Sequence, residues 1–246
     1  MPPQQNSTIP DLTKPASNAY DFFKPPVAVS VGNPPTTFHV NASILCTTSG
    51  YFQHMLSEKG APDKEPPIRL PQHEPAAFNI YLNWLHRGKL FINKPTGKSA
   101  KGNEEVIRES FWENILESYF LGSKLDDPDF KDALVDAALL AMLDDDEGVT
   151  WYPGRRIRQR LYERTTPGSR MRRLFVHMAA SLTNVKELVR PNDDPLQEPL
   201  PFLQELQRQL ASGEKESTYE MGLACTFHEH RAGEKNCYRA KKTALI

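Results

Sequence analysis

The chain has 246 residues and carries 30 Lys and Arg against 31 Asp and Glu, a formal net charge of -1. This balance argues against a protein whose main task is to coat nucleic acid, because phosphate binding needs a concentration of positive charge. Apolar residues make up 39% of the chain, which is enough for a core. Three cysteines, an odd number, do not suit a closed disulfide framework and favour an intracellular compartment, cytoplasm or nucleus.

The first residues and the hydropathy predict neither secretion nor membrane insertion. Residues 1–6 lack the positive and apolar regions of a secretory signal, and no apolar run approaches the ~18 residues of a membrane helix. Residues 1–26 are rich in Pro, Ser, Asn, Gln and Thr and have no apolar period. This composition predicts a disordered N-terminal arm.

Residues 27–92 alternate short strands with helices. The turn at 32–35, Gly-Asn-Pro-Pro, predicts a β-hairpin, and the prolines of 57–67 predict an irregular loop. Asn41 and Ser49 are N-caps of two short helices, and a stronger helix begins with Pro75 in its first turn and ends at Gly88. The predicted strands lie at 27–31, 36–40, 68–70 and 89–92.

From Glu104 onward the apolar residues recur at helical spacing. A first helix has its apolar residues four apart, from Ile107 to Tyr119, and a second follows the cap at Asp127-Pro128 and ends near Leu143. Three further amphipathic helices are predicted at about 153–164, 169–183 and 199–211. Strands in the first part and helices in the second predict an α+β fold.

This order of elements resembles that of the BTB/POZ domain. Local sequence supports the resemblance at 38–40, 49–52, 68–71 and 78–88, the last reading Phe-Asn-Ile-Tyr-Leu-Asn-Trp-Leu-His-Arg-Gly. Further along, residues 119–130 and 161–174 look like the helical extension of BTB proteins from filamentous fungi. The likeness covers about residues 27–210.

The resemblance implies a BTB/POZ-like fold of short β-strands with a helical cluster, followed by an all-α extension. It divides the chain into four parts. These are a disordered N-terminal arm at 1–26, a BTB/POZ-like domain at 27–125, a helical extension at 126–212 and a tail at 213–246.

The resemblance also implies a non-enzymatic adaptor or regulatory protein that forms a homodimer and docks partner proteins. The hairpin at 27–40 and the helix after it are expected to offer apolar surface that a symmetric dimer would bury. Cullin-binding members carry a hydrophobic residue, any residue, then Glu in the loop before Ile68. Residues 60–62, Gly-Ala-Pro, have neither group, which argues against a cullin scaffold as the partner.

Two clusters in this part of the chain have chemical interpretations. Cys46 has His39 and His54 within ten residues, as a thiol nucleophile would, but its apolar neighbours favour a small buried side chain. The Asp residues between 126 and 136 lack the Gly and Glu of a calcium loop. We expect them to cap a helix and to face solvent.

The basic segment from Arg155 to Arg173 holds eight arginines. They would serve as phosphate contacts in a nucleic-acid-associated regulator, or form a solvated face partly neutralised by the Asp-rich segment just before them. The net charge and the lack of stacking aromatic residues among them favour the solvated face. No phosphate-binding Gly-rich loop, Gly-x-Ser-x-Gly or His-Glu-x-x-His motif is present, so a hydrolase is the least favoured function.

The tail holds Cys225, His228, His230 and Cys237, in the spacing Cys-x2-His-x-His-x6-Cys. Two thiolates and two imidazoles suit tetrahedral Zn(II), and four protein ligands would make the site structural. Gly233 lets the chain turn before the last ligand. Because a His-x-His pair is not the usual zinc-finger spacing, an unliganded polar tail remains the alternative. No other cofactor is expected.

Overall fold

A computed structural model of the chain describes most of its length. The described residues are 13, 15, 16, 19–58, 67–94, 104–143, 152–181, 198–213, 225–230 and 233–243. Within these ranges, no helix combines the length and the hydropathy needed to cross a bilayer.

A three-stranded sheet forms one part of the fold. Strand β1 (Val27–Val31) lies in the centre, antiparallel to β2 (Thr36–Val40) and parallel to β3 (Ile68–Leu70). The predicted hairpin and the brief third strand are confirmed. The side chains of β1 at positions 27, 29 and 31 are buried, because alternate residues of a strand face the same side of the sheet.

Residues 89–92 form no strand, contrary to the sequence prediction. Gly88 ends the preceding helix with a left-handed φ of 63°, and residues 89–92 pair with none of the three strands, although Leu90 and Ile92 pack against the core. The Phe91 ring lies 5.3 Å from the guanidinium carbon of Arg87 and stays 51% exposed. A short apolar segment does not form a β-strand unless a neighbouring strand is available to pair with it.

Nine α-helices make up most of the described chain outside the sheet. The predicted N-caps are confirmed, since Asn41 Oδ1 accepts from Ser43 N at 2.9 Å and Ser49 Oγ accepts from Phe52 N at 3.2 Å. The helices are α1 (Ala42–Leu45), α2 (Gly50–Glu58), α3 (Pro75–Arg87), α4 (Glu104–Lys124), α5 (Pro128–Leu143), α6 (Arg155–Arg164), α7 (Arg170–Ser181), α8 (Leu200–Ser212) and α9 (Tyr238–Thr243).

One hydrophobic core connects the sheet with the helices that follow it. Phe78 on α3 is fully buried, with its ring 5.0 Å from that of Phe38 on β2. Tyr81, also on α3, packs its ring 5.0 Å from that of Phe130 on α5. Packing is therefore continuous across residue 125, where the sequence places the end of the first domain, and that boundary stays a prediction.

The hairpin and α1 bury their apolar side chains within the chain itself. Ile44 and Leu45 on α1 are 1% and 0% exposed, and the exposed positions of β2 are Thr36, Thr37 and His39. The expectation that these elements leave an apolar surface exposed is therefore wrong. The apolar pattern of the sequence shows that this face is buried but not what buries it. In the folded chain α3 packs against it, with Phe78 beside Phe38.

Exposed aromatic residues lie just before the hairpin instead. Phe22 and Phe23 are 71% and 102% exposed. The same segment is attached to the domain, because Asn41 Nδ2 donates to the carbonyl oxygen of Asp21 at 2.5 Å. The segment that precedes Val27 is therefore in contact with the domain at Asp21.

Candidate metal centre

The four Cys and His residues of the tail come together in the folded chain. Cys225 begins a turn over residues 225–227, His228 and His230 follow this turn directly, and Cys237 follows a short 3-10 helix at Glu234–Asn236. One ligand atom from each of the four residues lies within 4.8 Å of the others. Gly233 has a φ of 112°, so the predicted turn before the last residue is confirmed.

Two measured distances match those of a tetrahedral metal site. Cys225 Sγ lies 3.7 Å from Cys237 Sγ, and Cys237 Sγ lies 3.6 Å from His228 Nδ1. With Zn–S bonds of about 2.3 Å and Zn–N bonds of about 2.0 Å, tetrahedral angles require S–S and S–N separations of about 3.8 and 3.5 Å. A disulfide would need about 2.05 Å between sulfur atoms, so both cysteines are free thiols.

Asp136 on α5 orients His228 from the side away from the sulfur atoms. Its Oδ1 lies 2.9 Å from His228 Nε2, and it also binds Tyr238 and Arg239, whose Nε is 2.8 Å from Oδ2. Burial raises the pKa of Asp136, but these hydrogen bonds outweigh it and leave the pKa below its ordinary value. An ionised Asp136 accepts a hydrogen bond from the Nε2–H group of His228, which leaves the imidazole lone pair on Nδ1, the nitrogen that faces Cys237.

Asp132, one turn earlier on α5, holds the backbone of the same cluster. It accepts hydrogen bonds from Glu229 N at 2.6 Å and from His230 N at 3.3 Å. Its side chain is fully buried, and burial raises its pKa above the ordinary value. Lys241 on α9 forms the outermost contact, 2.7 Å from Asp129.

The acidic series therefore differs from the sequence expectation. Asp127 does cap α5, since it accepts from Phe130 N at 3.0 Å. Asp129, Asp132 and Asp136, however, are at most 8% exposed and bind the tail instead of facing solvent. Their spacing of i, i+3 and i+7 places them on one face of α5. This spacing is the sequence feature that indicates a common polar partner for the three carboxylates.

Apolar contacts also attach the tail to the core. The Tyr238 ring lies 5.5 Å from that of Trp84 on α3. Phe227, only 3% exposed, packs 5.7 Å from the His177 ring on α7. The cluster is thus part of the folded body, in contact with three helices.

Cys46 and Cys225 do not have the character of nucleophiles. Burial raises the pKa of the half-buried Cys46 thiol, and burial together with Cys237 raises the pKa of Cys225 to about 11. A thiol that stays protonated near neutral pH is a poor nucleophile. For Cys46, the small, partly buried side chain is the interpretation that fits.

Three arginines of α6, at positions 156, 160 and 164, pair with glutamates of α4. Both sets recur every four residues, so the two helices present matching charged faces. The pairs are Arg156 with Glu109 and Glu113, at 2.9 and 3.0 Å, Arg160 with Glu113 and Glu117, and Arg164 with Glu117 at 2.9 Å. The Asp-rich segment expected to neutralise them lies at 144–147, outside the described residues.

Two further arginines of this segment are buried, which the solvated-face hypothesis did not predict. Arg158 is 1% exposed, and its Nε donates to Glu198 at 2.9 Å. Arg172 is 4% exposed and donates to Thr165 Oγ1 at 2.7 Å and to the Tyr162 carbonyl at 2.8 Å. The charges of Arg158 and Arg172 are used inside the chain and are not available to phosphates, which argues against a role for these two residues in nucleic-acid binding.

Comparison with known proteins identifies one part of the chain. Residues 25–133 match the family model of the BTB/POZ domain. No curated protein matches the chain. The matched residues contain the sheet, the helices α1 to α4 and the first turns of α5, including Asp129 and Asp132.

Proposed function

Because the chain belongs to the proteins that carry a BTB/POZ domain, a module for protein–protein interaction, we propose that it is a non-enzymatic adaptor or regulatory protein. In this proposal the BTB/POZ domain forms a homodimer, and the dimer docks partner proteins. The family match carries the proposal. An intracellular location, cytoplasm or nucleus, belongs to the same proposal.

Exposed aromatic surface beside the domain supports self-association. Phe22 and Phe23 are the most exposed phenylalanines of the described chain. Phe22 also lines a groove of about 350 Å³, whose other lining residues are both polar and apolar: Lys24, Pro26, His39, Val40, Asn41, Ile44, Leu82 and His86. Two neighbouring aromatic rings exposed to this degree are typical of a contact surface. A two-fold partner would cover the same surface on both copies.

Energy transfer between differently labelled copies of the chain tests whether this surface mediates self-association. Full chains labelled with donor and acceptor dyes are expected to give energy transfer when mixed at tens of micromolar, since a modest interface associates in that range. The double variant Phe22→Ser/Phe23→Ser is expected to weaken association by more than about tenfold, because aromatic anchors dominate interface energies.

Leu210→Ser is the matched control. Leu210 is 58% exposed on α8, far along the chain from the hairpin, so its replacement should leave the transfer unchanged. Equal transfer for the double variant and the wild type would contradict the role of the two phenylalanines.

The alternatives have weaker support. A nucleic-acid-associated regulator would need the arginines that pair with glutamates of α4 and with Glu198. A cullin scaffold would need the hydrophobic and acidic residues that positions 60–62 lack, and these positions lie outside the described residues. We therefore propose that the partner is a protein, and we do not assign it to the cullin scaffolds.

A further inference from the structure

We propose that Cys225, His228, His230 and Cys237 bind one structural Zn(II), which fastens the tail of the chain to α5. The proposal concerns the tail and does not depend on the dimer or on the docking of partners. It rests on the ligand distances, on the carboxylates behind the ligands and on the way the tail packs.

The donor set selects the metal. Two thiolates and two imidazoles in tetrahedral arrangement are typical of Zn(II), whereas oxygen ligands would favour Mg(II) or Ca(II). The Cys–Cys and Cys–His separations of 3.7 and 3.6 Å are already those of a tetrahedron around zinc. The four ligand atoms lie up to 4.8 Å apart, whereas the edges of a tetrahedron around zinc are about 3.3–3.8 Å. Binding would therefore bring the most distant pair closer by about 1–1.5 Å.

A full set of protein ligands makes the site structural. Four side chains leave no coordination position for a water molecule or a substrate. His228 and Cys237 are 4% and 3% exposed, so the metal would be shielded from solvent on that side. The site would therefore add stability to the tail and would not supply a catalytic hydroxide.

The carboxylates of α5 provide the shell behind the ligands. Asp136 binds His228 Nε2 at 2.9 Å, the nitrogen opposite the one that faces Cys237. Asp132 holds the backbone N–H groups of Glu229 and His230. Carboxylates placed behind a ligating His fix its tautomer and orientation and strengthen metal binding.

The tail needs such an anchor because its own secondary structure is short. Helix α9 has six residues and the segment 225–230 forms turns, and isolated helices of this length are unstable in water. Metal binding joins both pieces through Cys225 and Cys237, twelve residues apart. The free energy of binding then becomes free energy of folding for the tail.

Metal content of the full, untagged chain is the first test. The protein is purified under reducing conditions from cells grown in zinc-supplemented medium, and its metal content is measured by elemental mass spectrometry. We expect about one zinc per chain, as a closed four-ligand site requires. Cys225→Ser and Cys237→Ser should each lower the content to below about one fifth of that value. Cys46→Ser, which removes a thiol outside the cluster, should leave it unchanged.

A second pair of variants tests the shell behind the ligands. Asp136→Asn should keep the stoichiometry and weaken zinc binding by about 10–100-fold in competition with a chelating dye, the usual effect of losing such a partner. Asp129→Asn is the matched control, since it removes the ion pair with Lys241 on the same helix face but touches no ligand. Its affinity should change less than about threefold.

Two results would overturn the proposal that the four residues bind zinc. The first is wild-type protein that holds less than about one fifth of a zinc per chain even after zinc is added back under reduction. The second is Cys225→Ser or Cys237→Ser protein with the zinc content of the wild type. Equal loss of affinity in the Asp136→Asn and Asp129→Asn variants would overturn the role given to Asp136 behind His228. The zinc content of the wild-type protein is measured independently of the variants. It therefore tests the proposal even if a variant does not fold.

Discussion

Replacing Phe78 by alanine is expected to lower the free energy of unfolding by about 3–5 kcal/mol. The side chain is fully buried, and its ring packs 5.0 Å from Phe38 on the sheet and 6.2 Å from Tyr81 on its own helix. Its removal opens a cavity where α3 meets the hairpin. Surrounding side chains close such a cavity only in part, so the loss exceeds the transfer free energy of the ring.

Denaturant unfolding of Phe78→Ala and of a control variant measures the effect. Phe91→Ala removes the same ring from a position that is 51% exposed, and the expected change in the free energy of unfolding is within about 0.5 kcal/mol. A loss below about 1 kcal/mol for Phe78→Ala would mean that α3 packs with a different face inward.

Replacing Glu198 by alanine is expected to cost about 3–5 kcal/mol, because it leaves the guanidinium of Arg158 buried without its carboxylate. Arg158 and Glu198 have side chains that are 1% and 5% exposed, and Arg158 lies between the rings of Tyr152 and Phe202, at 5.5 and 5.4 Å. The pair connects α6 with the residues just before α8. Water cannot compensate a charge at this depth.

An exposed pair on the same helix provides the control. Arg156 is 67% exposed and pairs with Glu109, so Arg156→Ala should change the free energy of unfolding by about 0.2–1 kcal/mol. The double variant Arg158→Met/Glu198→Leu removes both buried charges and should recover most of the stability that Glu198→Ala loses. Equal losses for Glu198→Ala and Arg156→Ala would contradict the burial of the pair.

The elements that the sequence predicted well depend on local signals. The helical periodicity from Ile107 to Tyr119, the caps at Asn41 and Asp127 and the hairpin turn all act within a few residues, and the structure confirms them. The strand expected at 89–92 failed because a strand needs a neighbour, which no local pattern specifies.

Long-range partners explain what the sequence analysis missed at the candidate site. The spacing of the four tail residues was visible, but Asp132 and Asp136 bind them from about one hundred positions earlier in the chain. Likewise, Arg158 is neutralised by Glu198, forty positions away. Composition shows that such charges exist, and only the fold shows which of them meet.

Sedimentation equilibrium of the full chain tests the central claim, that this BTB/POZ protein self-associates, most directly. At about tens of micromolar, the account predicts a mass of twice the 27.9 kDa of one chain. A single species of 27.9 kDa at that concentration would contradict it.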